Sequence, residues 1–256
     1  MLERVRGFVF DLDGCVWNGN TLSPGAAETL ERLVAAGRRI AFLTNNSSAT
    51  ADDILGRLHA LGVTVAKHAF TPLEIIGDVI TRRFGPSRVL VIGAPEVAAM
   101  ITRAGHTLVD VKDYRAATVV AVGNDFDLTY ERLSVASRVA AATGRLITPN
   151  VDPRLPIEGG DFLPGCGALV AAVSAAAGVA PVVVGKPEPP LFRMALERLD
   201  VTPADAAMVG DSVPSDIRGG RAIGMRTVFF APDGEPAPEA DVTIRSFAEL
   251  ARLAGV

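Results

Sequence analysis

The 256 residues carry 25 basic against 29 acidic side chains, a net charge of −4 and a pI near 5.5, so a nucleic-acid partner held by phosphate neutralisation is not expected. Hydrophobic residues make up 49% of the chain and aromatics only 5%, which predicts a core of Ala, Val, Leu and Ile. The opening Met1-Leu2-Glu3-Arg4-Val5-Arg6 lacks the apolar core of a leader, and the longest apolar stretch, Ala168 to Val184, is broken by Ser174, Gly178 and Pro181, so neither export nor a membrane partner is expected.

Strand-length apolar runs alternate with helical patterns along the chain, which predicts βα units, a mainly parallel sheet and an α/β fold. Gly7-Phe8-Val9-Phe10 is the first strand, ending in Asp11-Leu12-Asp13-Gly14. After a turn containing Trp17 and Asn18, Ser23 reads as a helix N-cap, Pro24 as the first helical residue and Gly37 as the stop. Arg38 to Leu43 gives a second strand, with Thr44-Asn45-Asn46-Ser47 at its carboxyl end. The next helix, capped by Thr50 and closed by Gly62, turns Ile54, Leu55, Leu58 and Leu61 inward.

From about Thr71 to Ala180 a domain-sized α/β series follows. It comprises strand Val89 to Ile92, a helix ending at Gly105, strand Val119 to Val122, helix Thr129 to Thr143 and strand Leu146 to Thr148. The series resumes with strand Val182 to Val184, helix Pro189 to Leu199, strand Ala206 to Val209, a helix after Asp216, strand Thr227 to Phe230 and helix Phe247 to Leu253. The expected organisation is a core over 1–69 and 181–256, interrupted by a second domain over 70–180.

Cys15 and Cys166 are too few for a disulfide framework or a zinc site, which suits a reducing cytoplasm. The polar clusters at strand ends carry the chemistry. Two charged carboxylates about 4 Å apart repel by about 4 kcal/mol at an effective dielectric near 20, so Asp11 and Asp13 call for a cation, a shared proton or water. Asp11 is the expected nucleophile toward phosphorus, and Asp13 the group that protonates the departing alkoxide and later deprotonates water. Thr44 and Asn45 would hold phosphoryl oxygens, and Lys186 would clamp both the phosphoryl group and Asp11. Asp211 would complete an acidic pocket for Mg²⁺, with Asp216 just outside the cation's ligands. In the insertion, the polar loops Asn124-Asp125, Asn150-Val151-Asp152 and Gly159-Gly160-Asp161 read either as contacts to a leaving group or as ordinary turns. Trp17 and Asn18 read either as closing the site or, for Trp17, as a wedge between core and insertion.

The chain resembles the haloacid dehalogenase superfamily of phosphatases over essentially its whole length. Asp11-Leu12-Asp13-Gly14 looks like the first motif of that family, Phe42-Leu43-Thr44-Asn45-Asn46 the second, Gly185-Lys186-Pro187 the third, and Gly210-Asp211-Ser212 through Asp216 the fourth. The long insertion between the second and third motifs, and Pro164-Gly165-Cys166-Gly167-Ala168-Leu169, are similar to the NagD-like and nitrophenylphosphatase-type branch. The resemblance implies a Rossmann-like core and an α/β cap over the active site. It also implies Mg²⁺-dependent hydrolysis of small phosphorylated metabolites, contact of the metal with the backbone carbonyl of Asp13, and a homodimer through the cap. Pro214 stands where many relatives carry a further acid, which leaves the metal to Asp11, Asp13 and Asp211 and implies a looser surround. Haloacid dehalogenation would need neither Asp13 nor Asp211. A phosphomutase would use the same residues. A phospho-receiver would carry its acceptor on an internal strand of a shorter domain.

Overall fold

The computed structural model describes residues 2–156 and 161–256. Strand β1 (Gly7–Asp11) leads into a short hairpin, β2 (Trp17–Asn18) and β3 (Thr21–Leu22), then α1 (Ala26–Ala35), β4 (Arg39–Leu43), α2 (Ala51–Ala60) and β5 (Ala69–Phe70). Helix α3 (Pro72–Phe84), β6 (Arg88–Ile92), α4 (Pro95–Arg103), β7 (Thr107–Val109), β8 (Val119–Val122), α5 (Tyr130–Thr143) and β9 (Leu146–Thr148) follow. A second hairpin, β10 (Arg154–Pro156) and β11 (Phe162–Pro164), precedes α6 (Cys166–Ala177) and β12 (Val182–Val183). The chain ends with α7 (Pro189–Leu199), β13 (Ala206–Gly210), α8 (Arg218–Ala222), β14 (Arg226–Phe230), β15 (Val242–Ile244) and α9 (Phe247–Ala254).

The chain forms two compact units. The first comprises Met1–Thr44, Ala51–Phe70 and Lys186–Val256, the second Asn45–Thr50 and Thr71–Gly185. In the first unit six parallel strands run in the order β15-β14-β13-β1-β4-β5. The chain leaves β1 toward β4 and β5 and later returns at β13 toward β14 and β15. The strand order therefore reverses between β1 and β13, where an open α/β sheet leaves a crevice outside its carboxyl ends. Register brings the ends level: Asp11 lies opposite Leu43 on β4, and Phe10 opposite Val209 on β13. Thr44 and Asp211 thus emerge beside Asp11.

The second unit holds a separate five-stranded parallel sheet, order β12-β9-β8-β6-β7. The two units fill their interiors differently. The second is the expected aliphatic core, with Leu90, Ile92, Val120, Val122, Val139 and Val173 buried together with Ala136 and Ala140. The first concentrates the few aromatics instead: Phe10 has ring neighbours Phe8, Phe42 and Phe247 at 6.1–6.3 Å, and Phe230 joins Phe247 at 5.3 Å. Stacked and tilted rings at these separations add specific attraction to the area they bury.

Two boundaries differ from the sequence expectation. Helix α1 starts at Ala26 rather than Pro24, because Gly25 takes left-handed backbone (φ 76°) and the Ser23 hydroxyl donates to Cys15 O instead of capping. Strand β12 joins β9 of the second sheet through Val182 and Val183, so the return to the first unit falls at Lys186 rather than 181. Beyond Asp211 the backbone makes a wide π-type turn over Val213–Ile217 before the five-residue α8. Among the described residues, no helix is long and apolar enough to cross a membrane.

Candidate active site

Asp11 closes β1 almost fully buried, and Lys186 Nζ sits 2.5 Å from its Oδ1. The same ammonium reaches Asp216 Oδ1 at 2.7 Å and the carbonyl of Leu43 at 3.5 Å. Lys186 is 3% exposed and Asp216 fully buried, so this is a desolvated pair of contacts rather than a surface bridge. The other oxygen of Asp216 accepts from the Ser212 N–H at 3.1 Å, and the turn is fastened by Ser212, whose hydroxyl accepts from Ser215 N. Two glycines make room for the acids. A Cβ on Gly14, which already needs left-handed backbone (φ 86°), would collide with the Asp211 carboxylate, and one on Gly210 with that of Asp216.

Electrostatics follow from the burial. Desolvation drives the Asp11 carboxyl well above its ordinary range against the pull of Lys186, and Asp216 and Asp211 add to the rise. Asp211 is likewise raised, first by burial and then by Asp216. Burial works against the Lys186 charge, but Asp11 and Asp216 outweigh it and hold the ammonium protonated above the usual lysine range. Oxygen atoms of Asp11, Asp211 and Asp216 lie within 4.8 Å of one another. Three carboxylates against one ammonium leave surplus negative charge on hard oxygen donors. That set fits a divalent cation of the Mg²⁺ class, which would relieve the strain felt by Asp11.

Asp13 stands apart from that cluster. Its side chain is exposed and its Oδ1 accepts from Trp17 Nε1 at 2.8 Å. Thr44 is buried, with its backbone N–H given to Phe70 O at 3.1 Å. Asn45 falls in the second unit, where its carbonyl accepts from Asn150 Nδ2 at 2.6 Å. A Cβ on Gly185 would fall 2.5 Å from Asn45 Oδ1, so the glycine before Lys186 lets this loop through.

The sheet edge thus gathers Asp11, Lys186, Asp211 and Asp216 into one cluster, with Thr44 emerging beside Asp11. Contrary to the expected place of strand Val182 to Val184 in the core, Lys186 does not extend a strand of the first sheet. It follows β12 of the second, and its long side chain makes the connection to Asp11. The motif places Asp216 beside the cation and says nothing of Lys186, whereas the structure also pairs it with that ammonium. The partner of Asp13 was also missed, although Trp17 lies four residues away, a spacing a tight turn closes. In the insertion, Asp125 is occupied by Arg132 at 2.8 Å and by Asp127 N, and Asp161 by Phe162 N, which are turn contacts. Asn124 is buried with its Oδ1 unpartnered among the described residues. Gly159 and Gly160 lie outside the described residues. Cys15 and Cys166 are free and buried, and burial raises both thiols.

Two family models match the chain: haloacid dehalogenase-like hydrolase over residues 8–107 and HAD-hydrolase-like over residues 183–245. Among its relatives, chronophin of Rattus norvegicus is 34% identical over 238 residues, covering 90% of this chain and 77% of that protein. The acid sugar phosphatase of Staphylococcus haemolyticus is 32% identical over 228 residues, covering 89% and 85%. The crystal structure of 4-nitrophenylphosphatase from Thermotoga maritima superposes with a TM-score of 0.86 at 30% identity, covering 99% of this chain and 98% of that one.

Proposed function

The chain belongs to the haloacid dehalogenase-like hydrolases and is a phosphomonoester hydrolase, and from that premise we propose a phospho-aspartate mechanism on small phosphorylated metabolites. The observation that carries it is Asp11 at the strand-order reversal, held by the Lys186 ammonium at 2.5 Å among two further acids. An Asp11 oxygen bonds to phosphorus as the ester P–O bond breaks, and Asp13 gives its proton to the departing alkoxide. Asp13 then takes a proton from the water that attacks the aspartyl phosphate, which releases inorganic phosphate and restores the Asp11 carboxylate. Thr44, Asn45 and Lys186 bind the non-bridging oxygens and favour the charge that builds there.

Asp11 and Asp211, with the backbone carbonyl of Asp13, would hold Mg²⁺. When bound, the cation supplies positive charge that offsets the phosphoryl oxygens and lets Asp11 stay ionised. Asp216 fixes Lys186 and stands beside the cation's ligands.

For the leaving group, similarity to an acid sugar phosphatase supports sugar-phosphate-sized substrates. Two free, buried cysteines suit a reducing cytoplasm. A homodimer through the second unit is part of the same proposal, supported by the exposure of Phe126 and Tyr130 on that unit. The test is phosphate release by purified protein against sugar phosphates, nucleotides, glycerol phosphate, phosphoglycolate and pyridoxal phosphate, in parallel with D11N. A substrate turned over by the native chain and not by folded D11N is the expected outcome. Unchanged turnover in D11N would overturn the assigned nucleophile.

A further inference from the structure

The segment joining Asp13 to Trp17 is closed on itself. Gly14 N donates to Trp17 O at 2.8 Å and Trp17 N to Leu12 O at 3.0 Å, and Asp13 and Trp17 form an isolated bridge. The indole is fully buried, yet its single polar atom points at the Asp13 carboxylate, 2.8 Å from Oδ1. Among the described residues Asp13 Oδ2 has no hydrogen-bond partner. One oxygen is therefore tethered and the other left for chemistry. From α2, the Arg57 guanidinium lies 4.1 Å from the centroid of the Trp17 ring and donates to Gly19 O in the turn of the β2–β3 hairpin. Stacking over an indole face is the favoured geometry for an arginine, and here it holds the ring that holds the acid.

We propose that Trp17 is a positioning residue for Asp13: its indole N–H, steadied by Arg57, fixes the carboxyl so that the untethered oxygen meets the departing ester oxygen. This rests on the reading of Asp13 as the proton donor, and the test separates the two. Proton donation matters most when the leaving alkoxide is a poor one and little when it is a stable phenolate. A fold-wide disturbance would slow both substrates alike.

The experiment compares kcat/KM for an alkyl phosphate, such as glycerol phosphate, with that for 4-nitrophenyl phosphate. The proteins are the native chain, D13N, W17F and R57M, each assayed with saturating Mg²⁺ after circular dichroism has established folding. Using kcat/KM confines the comparison to steps up to loss of the leaving group. W17F keeps the aromatic bulk and deletes the N–H. Losing one hydrogen bond to a charged group should cut alkyl phosphate turnover by about 10- to 100-fold and aryl phosphate turnover by less than about threefold. R57M, remote from the chemistry, should show the same selectivity at a smaller size. If D13N is selective and W17F and R57M lower both substrates equally or neither, the positioning role is overturned while Asp13 keeps its own. If D13N itself shows no selectivity, the proton-donor reading falls and takes this proposal with it. Should W17F fail to fold, R57M decides by the same comparison.

Discussion

Replacing Lys186 with Met isolates the role of the buried ammonium. The side chain touches Asp11 Oδ1 at 2.5 Å and Asp216 Oδ1 at 2.7 Å, with less than a tenth of any of the three side chains exposed. Methionine preserves the volume and the flexible stem, so packing changes little. What remains is a pair of desolvated acids, with Asp211 nearby, that have lost their counter-charge. Removing one partner of a buried pair costs about 3–5 kcal/mol, and two carboxylates about 4 Å apart add about 4 kcal/mol of repulsion if both stay ionised. The protein avoids part of this by taking up a proton. Asp11 already sits well above its ordinary range because of burial, and loss of Lys186 removes the strongest influence holding it down. A carboxyl raised in the folded state binds protons that the unfolded chain has released, so stability is retained below the unfolded value and falls as pH rises through the folded one. Denaturant unfolding of K186M should therefore show a loss of about 3–5 kcal/mol near pH 8 that shrinks by more than half near pH 5. Turnover should be lost at both. Equal stability of the two proteins near pH 8, or a deficit independent of pH, would refute the claim that the ammonium neutralises this cluster.

The same sign governs the metal. Because burial raises both Asp11 and Asp211 without a cation, the rise in melting temperature produced by Mg²⁺ should grow from about pH 5 to about pH 8, and thermal scans in chelator and in Mg²⁺ would measure it. A constant shift would place the cation elsewhere. Gly14→Ala should lower stability by more than about 1 kcal/mol and weaken Mg²⁺ binding, since the added methyl meets the Asp211 carboxylate at a left-handed backbone position. Calorimetric titration with Mg²⁺ alone reads the second effect, and native affinity in that variant would remove Gly14 from the site's design.

Strand ends are legible in sequence because an apolar run followed by a polar cluster needs no tertiary knowledge, and register then brings Asp11, Thr44 and Asp211 level without further specification. Sheet membership is not legible in that way. Val182 and Val183 have the composition of any buried strand, and nothing local distinguishes pairing with Leu146–Thr148 from pairing with the first sheet. Hydrogen-bond partners of the backbone are supplied by whichever edge topology leaves open. The site tolerates that ambiguity for a physical reason. A carboxylate at a strand end must be placed by the backbone to within a fraction of an ångström, whereas a lysine carries a flexible four-carbon stem and can approach from an element that is not part of the sheet at all. It is therefore the strand-end acids Asp11 and Asp211, not the lysine, whose positions the strand pattern predicts. The closed turn from Leu12 to Trp17 and the wide turn around Asp216 escape periodicity altogether. Each is fixed by hydrogen bonds among neighbours three to five residues apart, and a pattern of apolar spacing records nothing about those.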